Sequence, residues 1–279
     1  MKILKFVFMI FLTQLIHAQE KQQKFQVDFN EIKGELTSKD LFKKDFGRYD
    51  GYEIELFEGE AVNFVAYSKE FQPALAFVNP KGAIFQHSTA NNKNFASIIT
   101  TISASGVWIL YVIGDEKSSG SYTLQTAIAE PAALSLSSDA DFCVTLDFLL
   151  AHSSAYFLLL ENLALTERKL VKLNDAVDAF IDDEDGSYNA SYYDGNELSE
   201  ADAVFKNISE KIKSCTGKNW QMKSASWNKV EDYREKSVTF TEKSSVKTRY
   251  ITIAAYDFAG AAQKFKNRFS VEVKINRKP

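Results

Sequence analysis

Residues that commonly carry out catalysis are scarce in this chain, whose 279 residues include two cysteines and three histidines. His17 lies in an apolar N-terminal segment, so His87 and His152 are the histidines beyond that segment. A zinc site built from three histidines is therefore excluded there, and no HExxH motif occurs. No GxSxG motif surrounds any serine, which leaves a serine hydrolase site without support. We predict no catalytic residue, no metal ligand and no cofactor.

The two cysteines, Cys143 and Cys215, lie on the apolar stripes of two predicted helices. One begins the first helix and the other ends the second, so antiparallel packing of the helices would bring the two sulfurs together. In an exported chain we expect a disulfide between them, and a pair of buried free thiols is the alternative. Closing a loop of about 70 residues would contribute on the order of 4 kcal/mol.

An acidic segment and a group of tyrosines are the other candidates for a site. Residues 182–186 read DDEDG and suggest a calcium loop. An EF-hand alignment, however, puts Ile181 at the first ligand position and Tyr192 at the last, so a hairpin turn is the better interpretation. Tyr188, Tyr192 and Tyr193 could form an aromatic recognition patch, with packing inside a sheet as the alternative.

The overall charge narrows the class of partner. The chain has 33 basic and 37 acidic residues, which give a formal net charge of −4. A mildly acidic surface argues against nucleic acid or an anionic membrane as the main partner. We therefore expect a protein or a glycan partner, whose identity the sequence does not reveal.

The N-terminus has the pattern of an export signal. Lys2 and Lys5 precede the apolar residues 6–16, and Ala18 is the small residue that a signal peptidase reads. We therefore predict a signal peptide at 1–18 and a periplasmic or extracellular mature protein. The apolar run is too short to span a bilayer. Polar residues interrupt the next most apolar segment, 142–160, so no membrane span is expected in the mature chain.

Two domains are predicted from the change in periodicity along the chain. Short alternating segments with turn residues between them occupy 25–130 and predict a β-sandwich of the jelly-roll type. Residues 131–138 are rich in small residues and serine, as in a linker. Two helical patterns and several alternating segments follow in 139–279. They predict an α+β domain with two helices on an antiparallel sheet.

A set of short motifs runs through the first of these regions. In chain order they are Gly34-Glu35-Leu36, Asp50-Gly51-Tyr52 with Ile54 and Leu56, Glu58-Gly59-Glu60, Phe71-Gln72-Pro73-Ala74-Leu75, Asn79-Pro80-Lys81-Gly82, Gly106-Val107-Trp108 with Leu110-Tyr111-Val112, and Gly120-Ser121-Tyr122-Thr123-Leu124. Together they resemble the bacterial pre-peptidase C-terminal (PPC) domain family, small sandwiches that accompany secreted peptidases and other exported proteins. The resemblance covers under half of the chain. Some related modules bind calcium, but Gln86-His87-Ser88 stand here where acidic residues are common.

The sequence thus favours an exported, non-catalytic binding protein with an accessory sandwich. The alternative is a secreted hydrolase with its site in the C-terminal domain, where His152 would be the histidine available for catalysis. No family is recognised in that second half.

Overall fold

A computed structural model describes residues 25–89, 94–160, 170–182, 184–242, 248–261 and 267–278. The predicted signal peptide, 1–18, lies outside the described residues. Three antiparallel sheets account for most of the described chain, with a few helices. The predicted combination of a β-sandwich and an α+β region is confirmed.

The N-terminal half contains two of the three sheets. Their strands are β1 (Val27–Leu36), β2 (Leu41–Lys43), β3 (Gly47–Leu56), β4 (Ala61–Tyr67), β5 (Ala74–Val78), β6 (Ile84–Thr89), β7 (Phe95–Thr101), β8 (Gly106–Gly114) and β9 (Gly120–Ala129). Sheet A has the order β1-β9-β4-β7, and sheet B has the order β2-β3-β8-β5-β6. Strand β2 was not predicted, because three residues are too few to show an alternation.

The core between sheets A and B follows directly from the alternation in the sequence. In a strand, every second side chain points to the same face. Tyr52, Ile54 and Leu56 therefore face inward from β3, while the residues between them face outward. Trp108 is fully buried from β8, and its ring stacks on Phe77 at a centroid distance of 4.7 Å.

One glycine is required where β1 meets β9. Gly34 is the direct cross-strand partner of Tyr122, and the tyrosine ring occupies the space that a Cβ at position 34 would fill. The Tyr122 hydroxyl donates to Asp50 Oδ2 at 2.5 Å and is also hydrogen-bonded to the Tyr52 hydroxyl. Burial and these bonds raise the pKa of Tyr122 far above its ordinary value. A side chain at position 34 would displace this inter-sheet network.

The C-terminal half contains sheet C and two long helices. Its elements are α1 (Phe142–Ser153), β10 (Asp178–Ile181), β11 (Tyr188–Gly195), α2 (Leu198–Cys215), β12 (Trp220–Val230), β13 (Tyr233–Glu242), β14 (Thr248–Asp257) and β15 (Phe269–Lys278). The strand order in sheet C is β10-β11-β15-β14-β13-β12. Both helices contact the same face of this sheet, over a core that includes Phe240, Ile253 and Val273.

The first helix is shorter than its apolar periodicity predicts. The pattern continues to Leu160, but α1 ends at Ser153, and Tyr156 and Phe157 have φ angles of 50° and 55°. The Ser153 and Ser154 hydroxyls donate to the carbonyls of Leu150 and Ala151, an arrangement that competes with helix continuation. The chain therefore turns at this point and changes direction.

The turn after α1 packs against the sandwich. Ala155 and Leu159 pack against alanines on the outer surface of sheet A. Asn63, 1% exposed, donates from Nδ2 to the carbonyl of Leu158 at 2.9 Å. The two halves therefore share a small buried interface. The predicted linker 131–138 contributes to it, because a short 3₁₀ turn at Pro131–Ala133 buries Ala133.

Candidate functional site

The structure brings the two cysteines together. Cys143 and Cys215 form a disulfide, with 5.2 Å between their Cα atoms. Cys143 is the second residue of α1 and Cys215 is the last residue of α2. The bond therefore fastens the start of one helix to the end of the other on the shared face of sheet C.

Burial removes two of the three tyrosines from the predicted recognition patch. Tyr188 is fully buried in the core of sheet C, where its hydroxyl accepts from the Leu173 amide at 2.9 Å. Tyr192 is 7% exposed and donates to the Asn174 carbonyl at 3.2 Å. Both point toward the helices, so a surface role for them is wrong. Tyr193 alone remains partly exposed, with its hydroxyl near Glu200.

His152 is held in the interior. It is fully buried, and its Nε2 lies 2.7 Å from the Ala133 carbonyl. Burial lowers the pKa of His152 to about 4, so the ring is neutral near pH 7. A solvent-accessible base is not available at this position. His87, by contrast, is exposed on the outer surface of sheet B.

The outer surface of sheet B carries an aromatic group that sequence analysis did not identify, which we call the aromatic platform. It consists of Phe46, Tyr49 and Tyr111, whose ring centroids lie 5.2–5.6 Å apart in edge-to-face contacts. All three rings are partly exposed. Edge-to-face contacts of this kind stabilise aromatic groups and hold their orientation.

A glycine positions the centre of the platform. Gly51 is the direct cross-strand partner of Tyr111, and a Cβ on Gly51 would lie 3.0 Å from the Tyr111 ring. Because Gly51 has no side chain, the Tyr111 ring can lie close to this position, in contact with Tyr49. Phe46 lies in the turn between β2 and β3. Because it is outside the alternating strands, the sequence pattern does not reveal its contact with the two tyrosines.

Large aliphatic side chains are exposed on the same face as the platform. Leu41 is 68% exposed, Ile84 is 60% exposed and Val107 is 50% exposed. Their strand partners are Tyr49, Val78 and Glu55, which all point outward from sheet B. Exposed apolar side chains on one face of a sheet are a feature of many protein interaction sites.

Two carboxylates give this face a negative charge. Glu53 and Glu55 are exposed and alternate with the inward residues of β3. Within the described part of the chain, neither forms an ion pair. The surface therefore combines apolar side chains with two carboxylates that have no ion-pair partner among the described residues.

A second polar cluster lies where β13, β14 and β15 meet. Asp257, 1% exposed, accepts from Arg268 Nε at 2.9 Å and from Arg234 Nε at 3.1 Å. Both guanidiniums are about half exposed. Arg234 and Asp257 border a cavity of about 190 Å³ that also touches Tyr233. This arrangement fastens the ends of three strands.

Asp257 is expected to make the free energy of unfolding depend on pH in the acidic range. Burial opposes its ionisation, but hydrogen bonds from Arg268 and Arg234 prevail and lower its pKa to about 2. A carboxyl whose pKa falls on folding stabilises the native state above its unfolded pKa of about 3.9, and this contribution disappears as the pH approaches 2. Urea unfolding of wild type and Asp257→Asn at several pH values should show a stability difference at pH 5 that shrinks toward pH 2. Asp178→Asn, at an exposed aspartate, is the control. A difference that stays constant with pH would contradict this role.

Two further features of the described residues concern metals and membranes. No group of three or more His, Cys, Asp and Glu side chains within the described ranges is arranged to hold a metal ion. No helix in the same ranges is both long and apolar enough to cross a bilayer.

No family model matches this chain, and no curated protein matches it. Three solved structures are similar to part of this chain at low scores. The pre-peptidase C-terminal domain of a Bacillus anthracis collagenase is 17% identical, covers 35% of this chain and 87% of its own, and has a TM-score of 0.28. A periplasmic inhibitor of g-type lysozyme from Aeromonas hydrophila is 13% identical over 36% of this chain and 85% of its own, with a TM-score of 0.28. A protein of disulfide-linked Bacillus endospore appendages is 8% identical over 38% and 90%, with a TM-score of 0.25.

Proposed function

We propose that this is an exported, non-catalytic binding protein, and that the outer face of sheet B docks a protein partner. The observation that carries the proposal is the aromatic platform, with Leu41, Ile84 and Val107 exposed on the same face. Export is supported by the predicted signal peptide and by the Cys143–Cys215 disulfide, a bond that persists in oxidising compartments.

The chemistry of this face favours a protein over a glycan. Sugar rings stack on aromatic side chains, but they gain little from isolated aliphatic groups such as Leu41 and Val107. Apolar side chains of a protein can pack against both kinds of group. Glu53 and Glu55 add negative charge, so the partner should present an apolar segment flanked by lysine or arginine.

Removing the centre of the platform is expected to weaken docking strongly. A displayed random-peptide library selected on the mature protein should yield apolar sequences with basic flanks. Tyr111→Ser should weaken binding of a selected peptide at least about tenfold, because a buried aromatic anchor carries much of the energy of an interface. Isothermal titration of the synthetic peptide measures the change.

Two further variants make this test specific. Leu41→Ser changes a side chain that is 68% exposed and should weaken binding without affecting the fold. Tyr67→Ser removes a tyrosine, 40% exposed, from the outer face of sheet A and should leave binding intact. If the peptides bind Tyr111→Ser and Leu41→Ser as tightly as wild type, sheet B is not the docking face. Selection of glycans alone from a printed glycan array would overturn the choice of a protein partner.

A further inference from the structure

A cavity of about 280 Å³ lies on the outer face of sheet A, at the end of the sheet where β4 stops. It is bordered by Lys33 of β1, by Ser121 and Thr123 of β9, and by Lys69 and Glu70 from the segment that follows β4. Lys33 and Thr123 are direct cross-strand partners, so their side chains share this face. The proposed docking face belongs to the other sheet of the sandwich, so the cavity is separate from it.

Hydrogen bonds hold the segment after β4 in place. Ser68 is 1% exposed, and its Oγ accepts from the amides of Glu70 and Phe71 at 3.1 and 3.3 Å. The same hydroxyl donates to the Ser121 carbonyl at 2.8 Å, which fastens the segment to β9. Gly120 leaves the space that Glu70 occupies, because a Cβ on this glycine would lie 2.3 Å from Glu70 Oε2. This wall of the cavity is therefore part of the folded framework.

Glu70 presents one carboxylate oxygen to a ligand. Its Oε1 accepts from the Ser121 hydroxyl at 2.6 Å, which fixes the orientation of the carboxylate. Its Oε2 accepts no hydrogen bond from any described residue, and the side chain is exposed, so a molecule from solvent can reach this oxygen. A carboxylate oxygen accepts from N–H groups, and hydrogen bonds from an ammonium are among the strongest it forms.

Charges of both signs lie in or beside the cavity. Lys33 and Lys69 supply two ammonium groups and Glu70 supplies a carboxylate. Glu35, the cross-strand partner of Ser121, adds a second carboxylate on the same face. All four charged side chains are exposed, and none is ion-paired to another described residue. A simple anion or a simple cation would meet like charges here, whereas a molecule that carries both charges finds a partner for each.

We propose that this cavity binds a free α-amino acid with an apolar side chain. The ammonium of the ligand donates to Glu70 Oε2, and its carboxylate accepts from Lys33 and Lys69. The methylene stems of the two lysines pack against the apolar side chain of the ligand. This site does not depend on the docking face of sheet B, and failure of the peptide experiment there would not affect it.

Titrations of the mature protein with three related compounds, followed by NMR, test the proposal. L-Leucine carries both charges, L-leucinamide keeps the ammonium without a carboxylate, and N-acetyl-L-leucine keeps the carboxylate without an ammonium. We expect saturable amide shifts from leucine in residues 33–34, 68–70 and 120–123, and each blocked compound should bind at least about tenfold more weakly. Equal affinity for the three compounds, or no saturable shift with leucine, would overturn the proposal. This comparison uses wild type alone, so it does not depend on the folding of a variant.

Charge-matched variants show which side of the cavity holds which end of the ligand. Glu70→Gln should weaken leucine binding at least about tenfold without weakening N-acetyl-L-leucine, which has no ammonium. Lys69→Gln should weaken leucine binding and leave leucinamide unchanged. Glu210→Gln and Lys206→Gln make the same charge changes on α2 and should leave leucine binding intact. If either control lowers the affinity as much as its counterpart in the cavity, the binding is a general effect of charge and the proposal is wrong.

Discussion

Removal of the Cys143–Cys215 disulfide is expected to lower the free energy of unfolding by about 4 kcal/mol. The bond closes a loop across a sequence separation of 72 residues, so its loss greatly enlarges the set of unfolded conformations. The loop contains β10, β11 and nearly all of α1 and α2. Urea unfolding of the Cys143→Ala/Cys215→Ala double variant, compared with oxidised wild type, measures the change.

The loss should be confined to the half of the molecule that the disulfide closes. Hydrogen exchange should accelerate in α1, α2 and sheet C, whereas Trp108 and its neighbours in the sandwich keep their protection. Reduced wild type should behave like the double variant, which controls for the substitution itself. If oxidised and reduced proteins unfold at the same urea concentration, the bond does not stabilise this domain.

Helices and strands whose apolar residues recur at regular spacing could be predicted from the sequence, because local backbone geometry determines that spacing. The second helix shows this clearly: Ala201, Ile208 and Ile212 recur at helical spacing, and the structure buries all three against sheet C. Strand β3 shows the same agreement, because its residues from Gly51 to Leu56 alternate between exposed and inward positions. One buried face per element is sufficient to produce such patterns.

Features that depend on distant parts of the chain could not be predicted in the same way. Tyr188 and Tyr192 alternate as surface residues of a strand would, but α1 and α2 cover the face to which they point. The left-handed residues Tyr156 and Phe157 end an apolar period that continues through them. The aromatic platform requires Phe46 to reach across from a turn, and no periodicity records such a contact.

The interface between the two halves illustrates the same limit. The alternation in β4 predicts that Asn63 points outward, and an asparagine in such a position usually contacts water. The structure instead buries it against the carbonyl of Leu158, a residue far along the chain. A periodic pattern shows which side chains share a face, but it does not show which distant segment covers that face.

Trp108→Ala is expected to be among the most destabilising single substitutions in the sandwich, at about 3–5 kcal/mol. The side chain is fully buried, stacks on Phe77 at 4.7 Å and contacts Phe85 edge-to-face at 5.3 Å. Its removal leaves a cavity between sheets A and B that rigid strands cannot close. It also leaves the Ala104 carbonyl without the indole N–H that donates to it at 3.1 Å.

Two substitutions nearby separate these contributions to the stability of the sandwich. Trp108→Phe keeps a ring against Phe77 but loses the indole N–H, so its cost should fall well below that of Trp108→Ala. Val107→Ala changes the adjacent residue of β8, whose side chain is 50% exposed on the opposite face, and should shift stability by no more than about 0.5 kcal/mol. Urea midpoints of the three variants give the comparison. Similar losses for Val107→Ala and Trp108→Ala would mean that β8 does not place Trp108 in the core.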